Sequence, residues 1–448
     1  MRKPNTATAA ADRGGRQILA MLCWITAFAL LTRLAAACGS FSHLDLYWYK
    51  GWAMDAPNGL FSIYTRAREI SLDYPPLYLF PLHAIGRLCQ HFPNLLRYYP
   101  YEMLLFKAVP ILFDAACIPL IYAVGRKRNQ WAALTAALAW ALCPAMFLNG
   151  AMWGQTDSIL CFELLLSFWL LDSGRPIAGC VAFAAAGLTK YQALAFLPVL
   201  LLELFGKTRP IPWKKALLGL GAAALTVFAV FLPFSIGAKN PALVFDLYLG
   251  GQNKYPYYTL NACNFYALLG LNWGGFGDPA TKDTQSLFGL PEGHFLAGIT
   301  TAHLSTVLTL LIIGWVCYLY IKGKGKSGWA AGLLLTQGLF LWTTRMHERY
   351  QIVVLPFALM AYVTSGNRRF LHLFGSLSVI VFFNQLLVLF RDNNMEAPWL
   401  LHYETILAVV SAVNLAVFFW SARACARLLR GTDEGPKASP PDLAAAAA

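Results

Sequence analysis

The segment AAGLLLTQGLFLWTTRMHERYQIVVLPFALMAYV, residues 330–363, places a charged cluster between two apolar runs. The runs Ala330–Trp342 and Ile352–Val363 are each long enough to form most of a membrane-spanning helix. The interval Arg345–Tyr350 between them contains two arginines, a histidine and a glutamate. Because charge is costly at such a boundary in a bilayer, its presence there marks a functional site.

Composition assigns the chain to the membrane class. Of its 448 residues 58% are hydrophobic and 13% charged, and its mean hydropathy is +0.52, whereas a soluble domain is about 45–50% apolar and about 25% charged. The formal net charge is +13, and the basic residues fall mostly in short loops between apolar runs. This is the positive-inside pattern of membrane proteins, so no nucleic-acid partner is expected.

The apolar runs predict an all-α polytopic membrane protein with about twelve transmembrane helices, each crossing needing about 20 residues. The predicted crossings lie near residues 17–38, 103–125, 130–148, 157–172, 177–189, 192–205, 215–236, 299–321, 328–343, 350–364, 370–390 and 404–422. The fifth and sixth runs are short. They are either two crossings or two half-crossings that meet at residues 189–192.

Residues 1–16 are predicted to form a cytoplasmic tail, residues 17–422 the transmembrane domain, and residues 423–448 a second cytoplasmic tail, disordered and rich in Pro and Ala near its end. Residues 35–37 (Ala-Ala-Ala) resemble a signal-peptide cleavage site. The preceding apolar run is long for a signal peptide, which favours an uncleaved first helix.

With the N-terminus inside, two large loops, 39–102 and 237–298, face outward. The segment Tyr74–Cys89 in the first of them is apolar but short, and it contains three prolines, a histidine and an arginine. It is interpreted as an interfacial helix lying on the outer surface. The alternative, that it crosses the membrane, would move every later basic loop to the outside.

Candidate site residues occur in the first large outward-facing loop and at the outward-facing ends of the predicted helices. Asp45 follows the first crossing at an aromatic rim, where a carboxylate serves either as a general base or as a helix N-cap. Asp73 and Tyr74 precede two prolines, and taken alone this pattern indicates a rigid turn or a helix cap.

The segment Trp153–Ser158 lies where the third predicted crossing ends and the fourth begins. Trp153 and Gln155 are residue types that recognise sugars, by ring stacking and by hydrogen bonds to hydroxyls. Asp157 either belongs to that site or caps the next helix. Lys190, between the two short runs, either binds an anion or marks a loop.

Arg345, His347 and Arg349 supply the fork-shaped donors and positive charge that bind phosphate. The alternative is that these side chains reach toward the outer lipid headgroups. A zinc site of the His-Glu-x-x-His type is excluded because residue 351 is Gln, and no paired carboxylates occur in the first loop, so no metal or other cofactor is expected. The ten cysteines form no C-x-x-C pair and are interpreted as packing residues.

Together these motifs resemble the GT-C superfamily of integral membrane glycosyltransferases, especially the endoplasmic-reticulum glucosyltransferases that use dolichyl-phosphate glucose and their bacterial homologues. The resemblance spans roughly residues 17–365, and Asp114 and Thr189-Lys190 also match in position and type. It is carried by Asp45, Asp73-Tyr74-Pro75-Pro76-Leu77, Trp153-Gly154-Gln155-Thr156-Asp157-Ser158 and Met346-His347-Glu348-Arg349-Tyr350.

The resemblance implies a GT-C-like bundle in the bacterial plasma membrane with its active site on the extracytoplasmic side. It implies inverting, metal-independent transfer of glucose or mannose from a polyprenyl-phosphate-linked donor to a glycan or lipid-linked acceptor. The implied roles are general base for Asp45; donor phosphate binding for His347, Arg349, Arg345 and Lys190; and sugar or acceptor binding for Trp153, Gln155, Asp157, Asp73, Tyr74 and Glu348.

The acidic-aromatic motif that begins at Asp45 is shorter than in the eukaryotic enzymes, so the resemblance does not specify the acceptor. Two other functions remain as alternatives. An O-antigen-type ligase or polymerase needs a large outer loop with Arg and His, which is present, but does not require Asp45. A lipid-linked saccharide transporter is expected to carry polar groups near the bilayer midplane, often in two related halves.

Overall fold

The computed structural model of the chain describes residues 6–40, 44–206, 212–250, 255–275, 301–324, 326–392 and 398–432. Most of these residues are helical. The α-helices are α1 (Thr6–Gly39), α2 (Leu44–Asp55), α3 (Leu79–His91), α4 (Tyr99–Gly125), α5 (Gln130–Ala141), α6 (Pro144–Met146), α7 (Asp157–Asp172), α8 (Pro176–Thr189), α9 (Leu197–Phe205), α10 (Trp213–Gly237), α11 (Leu243–Gly250), α12 (Phe265–Leu268), α13 (Thr301–Lys322), α14 (Gly328–Trp342), α15 (Val354–Ser365), α16 (Arg368–Asp392) and α17 (Tyr403–Arg430).

Shorter elements connect them. One π-helix spans Phe147–Trp153, and 3₁₀ turns span Ala56–Asn58, Leu60–Arg66, Pro76–Tyr78, Pro93–Leu96, Tyr191–Phe196, Tyr350–Val353 and Pro398–His402. Within the described residues the strands are β1 (Thr259–Leu260) and β2 (Met346–His347), which pair in parallel.

The prediction of an all-α polytopic membrane protein is confirmed. Among the residues that the structure describes, six helices are long and apolar enough to cross a membrane, and a seventh crossing results if α5 and residues 144–153, which meet at a 40° bend, count as one. The predicted number of about twelve is not confirmed by helix length, because four further apolar helices have fewer than 18 residues. They are Pro176–Thr189, Tyr191–Phe205, Gly328–Trp342 and Tyr350–Ser365. Helix α7, which corresponds to the predicted crossing 157–172, has 16 residues and is also below this length.

The segment predicted to lie at the interface contains the 3₁₀ turn Pro76–Tyr78 and most of α3. Helix α3 has 13 residues and is about 20 Å long at 1.5 Å per residue, which is too short for a crossing. It packs closely against α2: a Cβ at Gly86 would lie 1.9 Å from the carbonyl oxygen of Ala53. Its position at the membrane surface remains a prediction.

At both ends of the chain the helices extend past the predicted boundaries at residues 16 and 423, while the division into a membrane domain and two tails stays a prediction. Helix α1 begins at Thr6, within the predicted tail 1–16, because this stretch is rich in alanine, the strongest helix former. Helix α17 continues to Arg430, since Cys425 and Leu429 are buried in the main core, and it ends at Gly431, which has a left-handed conformation. Residues 1–5 and 433–448 lie outside the described residues, as do 251–254 and 276–298 of the second large loop.

The two largest apolar clusters among the described residues hold most of the bundle together. The larger one joins the helices of the bundle and includes the stacked rings of Phe196 and Phe357. The second joins the first large loop to α4 and α10, with Tyr49 and Trp52 of α2 among its buried side chains. Burial of aromatic side chains of this size is the largest favourable contribution to such packing. The first loop is therefore a packed structural unit, and it fixes the position of α2 and of Asp45 in its first turn.

Candidate active site

The backbone around Trp153 is irregular, and this directs its side chains toward α2. Residues 147–153 form a π-helix that ends at Gly154, which has φ +85°. A π-helix is an uncommon element that occurs frequently at functional sites. A glycine suits the position because its φ is left-handed and because a Cβ there would lie 3.1 Å from side-chain atoms of Leu46 and Lys107.

Asp45 receives two hydrogen bonds from this segment. Nε2 of Gln155 donates to Oδ2 of Asp45 over 2.6 Å, and Nε1 of Trp153 donates to the same oxygen over 3.1 Å. The other oxygen, Oδ1, lies 3.7 Å from Nη2 of Arg349. The side chain of Asp45 is 25% exposed, so the carboxylate is oriented by its neighbours while remaining accessible.

The buried Tyr49 orients the Gln155 amide, and the half-buried Tyr74 bonds to Tyr49. The hydroxyl of Tyr49 donates to Oε1 of Gln155 over 3.1 Å and lies 2.7 Å from the hydroxyl of Tyr74. Burial raises the pKa of both tyrosines, so they remain protonated and able to donate. Since the amide oxygen of Gln155 accepts from Tyr49, its NH₂ group faces Asp45.

The charged segment begins with a strained residue. Arg345 has φ +63°, a conformation that is uncommon for residues other than glycine and that concentrates at functional sites. Its backbone N–H donates to the carbonyls of Tyr257 and Tyr258 over 3.2 and 3.1 Å. The next residues form β2, in which His347 pairs with Leu260 of β1. The second large loop therefore holds the charged segment in place.

Asn261 is the centre of the hydrogen bonds that hold this loop. Its Oδ1 accepts from Nδ2 of Asn272 (3.1 Å), Nε1 of Trp273 (2.9 Å) and Nη1 of Arg391 (3.3 Å). Its backbone carbonyl accepts from Asn384 over 2.6 Å. The loop beside His347 is thus bonded to α16, which restricts the motion of β2.

Glu348 lies behind the basic residues rather than on the pocket surface. It is 3% exposed, its Oε1 is 2.6 Å from Nη1 of Arg349, and its Oε2 is 3.8 Å from Nδ1 of His347. Burial raises the pKa of Glu348, while the charge of Arg349 opposes that shift. Glu348 therefore orients the two residues predicted to bind phosphate.

Lys190 forms a buried ion pair with Asp157. Helix α8 ends at Thr189, and Lys190 takes an extended conformation. This places its Nζ 2.6 Å from Oδ1 of Asp157, with both side chains 3% exposed. Nδ2 of Asn149 donates to the other carboxylate oxygen over 3.0 Å. The ammonium also lies 5.6 Å from the ring centroid of Tyr74, within range of a cation–π interaction.

A small polar pocket brings five of the predicted residues together. It has a volume of about 30 Å³, which holds about two water molecules. The predicted residues that line it are Asp73, Tyr74, Lys190, His347 and Arg349.

The other predicted residues lie around this pocket. Asp45 contacts it through Arg349, and Asp157 contacts it through Lys190. Trp153 and Gln155 are buried behind Asp45. Of the residues predicted to bind the donor phosphate, Arg345 alone lines an adjacent groove and is not among the pocket-lining residues.

The groove that Arg345 lines is largely apolar. Its cavity has a volume of about 390 Å³, and Leu194, Leu339, Phe340 and Val353 contribute to its walls. From Leu194 a further apolar cavity of about 630 Å³ follows α9 and α13 as far as Lys326. The polar pocket is therefore adjacent to apolar space that extends along the helices.

Sequence reasoning assigned no role to four residues of this arrangement: Tyr49, Tyr191, Gln192 and Tyr350. Tyr191, Gln192 and Tyr350 line both the pocket and the groove. The tyrosines resemble the interfacial aromatic residues that any membrane protein carries. For Gln192, the available signal that it lines the pocket was its position two residues after Lys190 in the sequence.

Comparison of the chain with protein-family models and with curated proteins found no match. The function is therefore inferred from geometry and chemistry. The arrangement joins a carboxylate, an arginine and an imidazole beside an apolar groove. A carboxylate takes a proton from a hydroxyl, and guanidinium and imidazole groups stabilise a phosphate that acquires charge.

Proposed function

We propose that this protein is a membrane hexosyltransferase. It transfers a hexose, glucose or mannose, from a polyprenyl-phosphate-linked donor to a glycan or lipid-linked acceptor at the outer face of the membrane. The transfer inverts the anomeric centre and uses no metal ion. The observation that carries the proposal is the 3.7 Å approach of Asp45 to Arg349, which puts a base beside a phosphate-binding group.

The residues support a single-displacement reaction. A carboxylate oxygen of Asp45 takes the proton of the acceptor hydroxyl while the oxygen of that hydroxyl bonds to C1 of the hexose. The bond between C1 and the donor phosphate oxygen breaks, and its electron pair stays on the phosphate. Arg349 and His347 stabilise that charge. Attack from the side opposite the leaving phosphate inverts the configuration at C1.

The apolar cavities support a lipid-linked donor. A polyprenyl chain needs a long apolar surface next to the site that binds its phosphate. The groove beside Arg345 and its continuation along α9 and α13 supply such a surface. A soluble sugar nucleotide would have no use for it.

The ion pairs of the site suit a ligand that brings its own negative charge. Arg349 faces the carboxylates of Asp45 and Glu348, and Lys190 faces that of Asp157. Each cation therefore has an internal counter-ion from the protein itself, which reduces the cost of burying it. A donor phosphate replaces part of this pairing when it binds.

The test uses the purified protein in nanodiscs with polyprenyl-phosphate glucose or mannose and extracted native lipid as the acceptor. We expect donor consumption that survives EDTA and is lost in Asp45→Asn. The matched control is Asp246→Asn, which changes an exposed carboxylate on α11 that is bonded to Asn240. Absence of consumption with every donor, or equal activity in Asp45→Asn, contradicts the proposal.

Transport of a lipid-linked saccharide is the second candidate, and buried charge within the spanning helices favours it. Arg33 of α1 pairs with Asp114 of α4, and both are almost fully buried. Intramembrane charges of this kind often mark transport paths. Here Nε1 of Trp140 also donates to Asp114 over 2.8 Å. A transporter would move the donor between leaflets without cleaving it, so the consumption assay separates the two functions.

A further inference from the structure

Two tyrosine hydroxyls meet at the boundary between the polar pocket and the apolar groove. The hydroxyls of Tyr191 and Tyr350 lie 2.9 Å apart. Tyr191 is the first residue after the break between α8 and the 3₁₀ turn, and Tyr350 is the last residue of the charged segment. The contact therefore joins the two segments that carry Lys190 and Arg349.

The pocket and the groove share four lining residues, namely Tyr191, Gln192, Tyr255 and Tyr350. We call these four residues the neck. The polar cations Lys190 and Arg349 line the pocket on one side of the neck, and the apolar walls of the groove lie on the other. A molecule with a charged head and an apolar chain must therefore have its junction at the neck.

The pocket as the structure shows it is too small for a sugar. Its volume of about 30 Å³ holds about two water molecules, whereas the groove measures about 390 Å³. The Tyr191–Tyr350 hydrogen bond lies where the two spaces meet. Separation of the two rings would enlarge the pocket toward the groove and would leave two hydroxyl donors pointing into the opening.

We propose that Tyr191 and Tyr350 bind the phosphodiester of the lipid-linked donor. Their hydroxyls bond to each other before the donor binds and to phosphate oxygens when it is bound. This inference rests on the proposed function, because it takes the donor to be a phosphodiester with an apolar chain. It adds two neutral hydrogen-bond donors to the basic residues of the site. These donors bind the lipid-linked donor where its charged head joins its apolar chain.

The energetic argument is an exchange of hydrogen bonds. A hydroxyl that donates to a charged phosphate forms a stronger bond than one that donates to a neutral hydroxyl. Binding therefore gains from the exchange, and without a ligand the two hydroxyls keep their bond to each other. Removal of either hydroxyl removes the bond that closes the neck and also one bond to the phosphate.

The test measures binding rather than transfer. Wild type and the variants Tyr191→Phe and Tyr350→Phe are placed in nanodiscs with two radiolabelled probes of equal chain length, a polyprenyl methyl phosphodiester and the parent polyprenol. The control is Tyr318→Phe, which changes an exposed tyrosine on α13. We expect wild type and the control to prefer the phosphodiester over the polyprenol.

We expect each neck variant to bind the phosphodiester about three- to tenfold more weakly, as the difference between a charged and a neutral hydrogen bond predicts. Polyprenol affinity should not change. Association of the phosphodiester should become faster, because the bond that closes the neck is gone. A variant that is merely damaged would not bind faster.

Unchanged phosphodiester affinity in both variants overturns the inference and leaves the proposed function intact. An equal loss for both probes also overturns it, because the effect would then belong to the chain and not to the phosphate. If wild type does not distinguish the phosphodiester from the polyprenol, the proposed function fails, and the role of the neck fails with it.

Discussion

Nη2 of Arg349 lies 3.7 Å from Oδ1 of Asp45, although the two residues belong to distant parts of the chain. Arg349 also contacts Glu348, and Asp45 also accepts from Gln155 and Trp153. The proposed base and the proposed phosphate-binding group thus belong to one electrostatic unit. Changes at either residue are expected to affect both proton removal and donor binding.

Gln155 is predicted to position Asp45. The variant Gln155→Leu loses the 2.6 Å hydrogen bond to the carboxylate, and a bond to a charged group contributes about 1.5–3 kcal/mol. We expect kcat to fall by about 10- to 100-fold with a smaller change in KM. Steady-state kinetics measure this, with Gln90→Leu on the exposed side of α3 as the control. An unchanged kcat would show that Asp45 needs no such support.

Glu348 is predicted to make donor binding depend on pH. Burial raises its pKa, so it takes up a proton at a higher pH than an ordinary glutamate. Protonation removes a negative charge beside Arg349, and affinity for a phosphodiester should therefore increase as the pH is lowered toward the carboxyl range. The phosphodiester keeps one negative charge over this pH range. Any change in its equilibrium affinity with pH therefore comes from titrating groups of the protein.

The variant Glu348→Gln should lose that part of the pH dependence, while any contribution of His347 remains. The same shift affects stability: the neutral form of Glu348 contributes stability that is fully present below the unfolded pKa and lost as pH rises through the folded pKa. A wild-type binding curve that weakens on acidification would contradict the assignment.

The Lys190–Asp157 pair is predicted to be energetically coupled. Lys190→Met leaves a carboxylate that is 3% exposed without its cation, which costs about 3–5 kcal/mol in buried pairs. The double variant Lys190→Met/Asp157→Asn should recover much of that loss. Thermal unfolding in detergent measures both. Lys50→Met, in the more exposed pair with Glu102, is the control and should cost at most about 1 kcal/mol.

Gly86 is predicted to be required for the packing of α3 on α2. In Gly86→Ala the added Cβ would lie 1.9 Å from the carbonyl oxygen of Ala53, so α3 must move. We expect a lower unfolding temperature and reduced activity, since α2 carries Asp45. Gly51→Ala on α2 has no atom within 4 Å of its Cβ and should be neutral or slightly stabilising. Equal behaviour of the two variants would contradict this packing.

Labelling of introduced cysteines tests the predicted sidedness. Tyr47→Cys, Arg97→Cys and Lys127→Cys change exposed residues and are made in a chain in which Cys23 is replaced by Ser. An impermeant maleimide applied to intact cells should label positions 47 and 97 but not 127. Opposite accessibility of positions 47 and 97 would mean that the segment Tyr74–Cys89 crosses the membrane.

The linear sequence was enough to predict the class of protein and the segments that form the candidate site. The apolar runs identify a helical membrane protein because a bilayer requires long stretches without charge. The same cost makes the interruptions at Asp45, Trp153–Asp157 and Arg345–Tyr350 conspicuous. These three interruptions do contact one another in the structure.

Other features depend on contacts between distant segments. The end of α17 at Arg430 depends on burial of Cys425 and Leu429, which local sequence does not reveal. The neck residues Tyr191 and Tyr350 resemble any interfacial aromatic residues until the fold places their hydroxyls 2.9 Å apart.

The sequence by itself determined that the chain is a helical membrane protein and where its charged interruptions lie, because solvation in a bilayer acts on each segment separately. Only the tertiary structure decided which basic side chain pairs with which carboxylate. It paired Lys190 with Asp157 and Arg349 with Asp45, and it separated Arg345 into the groove. Such pairings depend on distance and burial in three dimensions, which the order of residues does not specify.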